Sequence, residues 1–109
     1  MKEMRAPAEI NIDTLDRPWE PATGYPEGTR WKVLRRDEGG QPLTVLLNLP
    51  PGFEVDRHSH VGVEQHYVLE GDYVSSGTHY PAGTYRLIPA HADHGPFTTR
   101  SGAVILVTW

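Results

Sequence analysis

The chain has 109 residues, with fourteen acidic and ten basic side chains, a formal net charge of -4 and no cysteine. This length is that of one domain, so we expect a single domain over residues 1–109. The mild charge and scattered basic residues exclude a phosphate-tracking basic stripe, and we expect no direct nucleic-acid binding. Without cysteine there is no disulfide, thiolate nucleophile or cysteine-ligated metal cluster.

The composition also favours one fold class. Eleven glycines and ten prolines predict many turns and an all-β fold, because both residues are costly inside helices. No apolar run approaches the roughly 18 residues that span a bilayer, and the amino terminus lacks the apolar stretch of a signal peptide. We therefore expect no membrane association and a cytoplasmic location. The first nine residues carry no periodicity and are expected to be loosely ordered.

The predicted elements begin with a short edge strand at residues 10–15, where apolar and polar residues alternate. Residues 17–28 contain three prolines and predict a loop, with Trp19 and Tyr25 packing inward as anchors. After this loop the turn residues 37–40 separate two strand-like runs, which is typical of a hairpin. Its strands are predicted at residues 31–36 and 43–49.

The second half of the chain continues with short strands between glycine and proline turns. These strands are predicted at residues 54–60, 64–70, 73–75 and 84–88, with a turn at Gly71-Asp72. The last run, residues 103–107, is apolar on both parities, which predicts a strand in the middle of a wall. Short strands at this spacing indicate a small antiparallel β-sandwich or barrel.

The histidines provide the strongest chemical signal, since all six fall between His58 and His94. Side chains alternate along a strand, so His58 and His60 project from one face, roughly 7 Å apart. Gly62 allows the chain to bend and bring Glu64 to the same ion, and His94 can join them only from another strand. Three imidazoles and a carboxylate suit Fe, Zn, Mn, Ni or Cu, and leave open positions for water or substrate.

The same residues fit the two sequence motifs of the cupin superfamily, which this chain resembles over residues 52–98. The first motif is matched at Gly52, His58, His60, Glu64 and Gly71, and the second at Gly83, Pro89 and His94. His91 replaces the usual glycine of the second motif, and Thr98 replaces its usual asparagine; neither position is a metal ligand. The resemblance implies a double-stranded β-helix, which is a jelly-roll-like antiparallel β-barrel with a metal ion at its centre.

Within the cupins, the chain looks like ChrR-type anti-sigma cupin domains and like acetylacetone- and dihydroxyacetophenone-type dioxygenases. The second similarity implies a metal-dependent dioxygenase acting on a small oxygen-rich or dicarbonyl substrate. The first implies a non-catalytic module that binds metal or a small ligand as a sensor. An isomerase or lyase using the metal as a Lewis acid is a third alternative. In some related dioxygenases only histidines bind the metal, which would leave Glu64 beside the ion.

The other three histidines differ in what their positions predict. His66 shares a strand face with Glu64 and stands where the family usually has an apolar residue. It is either a core histidine with hydrogen-bonded nitrogens or a proton-transfer partner near the metal. His91 is expected to form a turn in left-handed geometry, and His79 to lie at the surface.

Two further predictions concern the walls of the molecule. Tyr85 and Leu87 share a face and are candidates to line the pocket or the barrel wall, with Arg86 pointing the other way. For all three residues, ordinary packing or exposure to solvent is the favoured alternative. Small cupins are often homodimers. We expect a homodimer here, formed through the edge of the amino-terminal strand or through the open face of a sheet.

Overall fold

The computed structural model describes residues 8–56, 62–92 and 95–109, which contain nine β-strands and a single 3-10 turn. The all-β prediction is confirmed, and every strand pair is antiparallel. The strands are β1 Glu20–Pro21, β2 Arg30–Arg36, β3 Pro42–Leu49, β4 Glu54–Val55, β5 Glu64–Ser75, β6 Thr78–Pro81, β7 Tyr85–Ile88, β8 Phe97–Thr98 and β9 Ala103–Thr108.

Two sheets share the long strand β5 and curl into an open barrel. The first sheet has the order β1-β2-β3-β9-β5-β7, and the second has the order β4-β8-β5-β6. The first half of β5 pairs with β7 and β9, whereas its last four residues pair with β6 and β8. Side chains from the two halves of one strand therefore face each other across the interior.

The sequence predicted two strands and a turn where the structure has the single strand β5, so that prediction is wrong. The chain bends there without reversing. The pairing with β9 shifts register between Val68 and Glu70, as at a β-bulge, and Gly71 follows with a φ of 71°. Bulges bend a strand and increase its twist, which lets it leave one sheet and enter the next.

The amino-terminal edge strand at residues 10–15 is also absent. Thr14–Asp16 instead forms the 3-10 turn, whose N-cap Asp13 accepts a hydrogen bond from the Leu15 N–H. Aspartate favours such local bonds over sheet pairing. Leu15 is 88% exposed, so burial of its side chain does not favour a strand over this turn. The edge of the sheet is β1, a position that tolerates a proline such as Pro21.

The hairpin of β2 and β3 confirms its prediction, and the loop before it is anchored partly as expected. Tyr25 packs against the core and meets the Trp31 ring edge-on, with 6.2 Å between centroids. Trp19 is only partly buried, and the ammonium of Lys32 lies 4.6 Å from its ring centre.

The core lies between the sheets and is supplied mainly by β3, β5 and β9. β9 sits between β3 and β5, which confirms its predicted place in the middle of a wall. The buried apolar residues are Ala22, Val45, Leu47, Leu49, Phe53, Val68, Tyr73, Ile88, Phe97, Ala103, Ile105 and Val107. Burial of each large side chain contributes about 1.5–3 kcal/mol to folding. In the described part of the chain, no helix is long and apolar enough to cross a membrane.

Candidate metal and ligand site

Glu64 begins β5 on the inner face of the barrel and is the predicted ligand that the structure describes. Its side chain is buried, at 4% exposure. The Trp109 indole N–H donates to Glu64 Oε1 at 2.5 Å, and His66 Nε2 lies 2.7 Å from Oε2. Trp109 reaches this position because Gln65 pairs with Thr108, the last residue of β9, which puts the following residue opposite Glu64. A buried carboxylate is thus held at both oxygens.

A second pair of contacts extends this network across the interior. His66 is 6% exposed, and its Nδ1 lies 2.8 Å from the Tyr73 hydroxyl oxygen. Tyr73 belongs to the half of β5 that lies in the second sheet, so its hydroxyl reaches back toward the first. There Arg86 of β7 donates to the same oxygen at 3.1 Å. The bend in β5 is what brings Tyr73 to His66.

The chemistry of the two ends fixes the direction of the hydrogen bonds made by Arg86 and Trp109. A guanidinium and an indole N–H can only donate, and a carboxylate can only accept. In the neutral tautomer of His66 that carries its proton on Nε2, Nε2 donates to Glu64 and Nδ1 accepts the Tyr73 O–H. Tyr73 in turn accepts from Arg86. Donation in that tautomer runs from Arg86 through Tyr73 and His66 to Glu64. Arg86 keeps its protons, so the groups of this chain that can exchange a proton are the Tyr73 hydroxyl and the His66 imidazole.

Two tyrosines on the inner side are kept protonated. Burial raises the pKa of Tyr73, and the hydrogen bond and charge of Arg86 offset only part of that rise. Burial also raises the pKa of Tyr25 to about 12, with a smaller contribution from the Glu64 carboxylate. The charge of Glu64 is therefore felt by hydroxyl groups on two separate elements.

The other three predicted ligands, His58, His60 and His94, lie outside the described residues. Within residues 8–56, 62–92 and 95–109, no three histidine or acidic side chains are grouped closely enough to hold a metal ion. Glu64 itself fits a metal ligand. Each carboxylate oxygen accepts more than one bond, so the contacts with Trp109 and His66 are compatible with coordination. Hydrogen bonds of this kind commonly orient ligating carboxylates.

β7 exposes Tyr85 and Leu87 to solvent, which agrees with the favoured alternative and not with a pocket-lining role, and it turns Arg86 inward. Tyr85 and Leu87, predicted to line the pocket or wall, are 56% and 54% exposed on the outer face, and the Tyr85 hydroxyl donates to Gln65. Arg86 is on the inner face, opposite His66 in the register. The alternation was predicted correctly, but the sides were exchanged, because the guanidinium finds a hydroxyl and an aromatic ring inside.

The remaining histidines lie where they were expected. His91 has a φ of 63° and is exposed in the turn after β7. His79 is exposed on β6, with its Nε2 2.7 Å from Asp72 Oδ2. Neither side chain belongs to the network around Glu64.

Three residues of the site were missed from the sequence: Tyr73, Arg86 and Trp109. Trp109 had a usable signal, since it continues the inward parity of Ile105 and Val107 on β9. Tyr73 had none, because the bulge and Gly71 break the alternation between Glu64 and Tyr73. Predicting its side would have required knowing that β5 passes from one sheet to the other.

The fold agrees with a comparison against known protein families, in which residues 7–109 match the ChrR Cupin-like domain. The chain belongs to the ChrR cupin-like family. Among solved structures, this cupin-like domain is similar to a chain in the crystal structure of Rhodobacter sphaeroides SigE in complex with the anti-sigma ChrR. The identity is 28% and the TM-score 0.66, over 84% of this chain and 49% of that one. The cupin-like domain thus spans about half the length of that relative.

Two other solved structures show the same fold at lower identity. An acetylacetone dioxygenase from Acinetobacter johnsonii is 20% identical with a TM-score of 0.75, over 100% of this chain and 77% of that one. KdgF from Halomonas sp. is 19% identical with a TM-score of 0.66, over 87% of this chain and 89% of that one. No curated protein matches the sequence. The comparisons confirm the cupin jelly-roll fold that the motifs implied.

Proposed function

We propose that this cupin-like domain holds one divalent metal ion and uses it to cleave a small dicarbonyl or other oxygen-rich substrate with dioxygen. The proposed ligands are His58, His60, Glu64 and His94. Support for the three histidines comes from the spacing of the cupin motifs, and support for Glu64 comes also from its place in the structure. Bound metal of this kind polarises a substrate oxygen or activates dioxygen.

The observation that carries the proposal is the one-way hydrogen-bond chain that ends on Glu64. A site that only stores a metal needs a held carboxylate, which Trp109 already provides through Oε1. The second arm, through His66 and Tyr73, adds groups that can hold and pass a proton beside that carboxylate. A dicarbonyl substrate must lose a proton between its carbonyl groups to form the electron-rich enolate, so a proton acceptor near the ion serves that reaction.

Each residue of this chain has a definite part in the proposal. Trp109 and His66 fix the orientation of Glu64 by donating to its two oxygens. His66 takes up a proton at Nδ1 when the Tyr73 hydroxyl rotates or gives up its own proton. Tyr73 and Phe97 pack together with 5.5 Å between ring centroids and give the second sheet an aromatic inner wall. An apolar wall favours a small organic substrate over bulk water.

Metal analysis with oxygen uptake tests the proposal. The protein is purified anaerobically, its metal content is measured, and oxygen uptake is followed on a panel of diketones and hydroxyaryl ketones. We expect close to one metal ion per chain, loss of that metal in the double variant His58→Ala, His60→Ala, and uptake with at least one diketone. Retention of the full metal content by the double variant would contradict the site. The matched control is His79→Ala, at an exposed histidine outside the network.

A second candidate function is a non-catalytic module that binds metal or a small ligand as a sensor. The family match and the 28% identity to a chain of the SigE–ChrR structure favour it. It shares the four metal ligands with the first candidate but predicts no oxygen uptake by the iron form. A metal-loaded protein that binds diketones without consuming oxygen would therefore support the sensor and exclude the oxygenase.

We also propose that two copies of the chain pair through the outer face of β5 and β7. Most of the large hydrophobic side chains that the structure leaves exposed lie on these strands or directly before β5: Val63, Tyr67, Leu69, Tyr85 and Leu87. Together they form an apolar patch on the order of several hundred Å², more than isolated exposed residues would produce. No charged side chain projects between them from Gln65 to Leu69 on β5. With a net charge of -4, a second copy meets least repulsion on an uncharged face.

A further inference from the structure

Arg86 is a cation on the inner face of the barrel that no carboxylate of the described residues neutralises. Its side chain is partly buried, and its guanidinium lies 4.1 Å from the ring centre of Tyr80 and 5.8 Å from that of Tyr73. Its hydrogen bond to the Tyr73 hydroxyl uses one of five N–H groups. The structure shows no ion pair for Arg86 with any carboxylate of residues 8–56, 62–92 or 95–109.

The nearest acid of the network does not serve as its partner. Glu64 is bonded to Trp109 and His66, and both His66 and Tyr73 stand between it and Arg86. Buried charges are normally paired, because removing a cation from water is costly unless an anion replaces the lost hydration. A guanidinium held this way is therefore prepared for an anion from outside the described protein.

The surroundings of Arg86 favour one kind of anion. The Tyr80 ring stacks on the guanidinium and the Tyr73 hydroxyl fixes one N–H, so the orientation of the planar group is set in advance. A guanidinium with free N–H groups binds the two oxygens of a carboxylate in a planar, two-pronged contact. Phosphate sites usually gather several cations or backbone N–H groups, whereas Arg86 stands between aromatic rings. A small, flat organic acid suits this site better.

We propose that Arg86 binds the carboxylate of a small organic acid inside the barrel, and that the natural ligand of this domain is such an acid. The proposal deepens the proposed function, on which it rests for placing the rest of the ligand near Glu64. The ligand class is that of the 3-oxo acids, in which a carboxylate replaces one end of a diketone. Binding of the carboxylate needs only Arg86 and the rings beside it, so it is testable whether or not the protein is catalytic.

A matched pair of probes tests the proposal, because acetoacetate and acetylacetone have similar shapes and differ in charge. Binding of each to the purified protein is measured by calorimetry, together with metal content. We expect acetoacetate to bind more tightly than acetylacetone, and Arg86→Met to weaken acetoacetate about tenfold or more, as for loss of a charge-assisted contact. Acetylacetone binding is expected to change little. Arg86→Lys keeps the charge without the planar guanidinium, so its affinity for acetoacetate should lie between those of Arg86→Met and the wild type.

Arg35→Met is the matched control, since it removes an exposed cation from β2 and should leave both affinities unchanged. Circular dichroism melting checks that each variant is folded; if Arg86→Met does not fold, Arg86→Lys carries the test. Equal binding of both probes, no binding of acetoacetate to the folded protein, or no effect of the folded Arg86 variants would overturn the proposal. Arg86-dependent binding by a protein without metal would uphold it and refute the metal centre. Oxygen uptake on acetylacetone, together with no effect of the Arg86 variants on binding, would support the metal centre and refute the Arg86 proposal.

Discussion

At the scale of single residues, the site depends on the side chains that bond to Glu64. Its two oxygens accept hydrogen bonds from Trp109 and His66, and the other ring nitrogen of His66 is hydrogen-bonded to Tyr73. The parity of one strand predicted that His66 would share a face with Glu64. It could not predict Tyr73 and Trp109, because these contacts join positions that only the folded barrel brings together.

Tyr25 gives a prediction for alkaline pH. Burial raises its pKa from 10.0 to about 12, so between these values the unfolded chain has released a proton that the folded chain still holds. The contribution of Tyr25 to the free energy of unfolding is therefore fully present below pH 10 and is lost as the pH rises toward 12. Tyr25→Phe removes this group. In that window its free energy of unfolding should fall less steeply than that of the wild type, by roughly 1.4 kcal/mol for each pH unit.

Urea unfolding at pH 9 and pH 11 measures this difference directly. Tyr67→Phe, at a tyrosine that is 42% exposed, is the control and should follow the wild-type slope. A wild-type protein and a Tyr25→Phe variant that lose the same stability between the two pH values would show that Tyr25 ionises normally in the folded state.

At the scale of elements, β5 decides the geometry of the site. The motif residues Gly71 and Gly83 were recognised from their spacing, but only the structure shows what they do. Both have positive φ values, of 71° and 91°. A Cβ on Gly71 would lie 2.1 Å from the Gly102 carbonyl oxygen, whereas a Cβ on Gly83 would meet no atom within 4 Å.

We therefore expect Gly71→Ala to cost much more stability than Gly83→Ala. Left-handed geometry alone costs an alanine about 1–2 kcal/mol, and this is all that Gly83→Ala should lose. Gly71→Ala adds a backbone clash at the bend of β5, for a total of roughly 3 kcal/mol or more. Midpoints of urea unfolding compare the two variants. Equal losses would mean that β5 and the Gly102 loop separate easily, and that the bend does not need a glycine.

At the scale of the whole molecule, the apolar outer face predicts an assembly. Leu87→Glu places a like charge on both copies of a symmetric interface, so we expect it to turn a dimer into a monomer. Leu15→Glu is the matched control, because Leu15 is even more exposed but lies on the 3-10 turn, away from this face. Light scattering after size-exclusion chromatography measures both. A wild-type monomer at millimolar concentration would refute the interface.

The sequence by itself determined the all-β class, the family and the motif residues, because turn residues, strand parity and ligand spacing are local properties. It also placed His66 beside Glu64, two residues apart on one strand. Only the tertiary structure decided that β5 bends without reversing, that Arg86 rather than Tyr85 and Leu87 faces inward, and that Tyr73 and Trp109 close the network. These outcomes depend on the pairing of distant strands, and on the free energy that a partly buried guanidinium or a buried hydroxyl gains from partners far away in the chain.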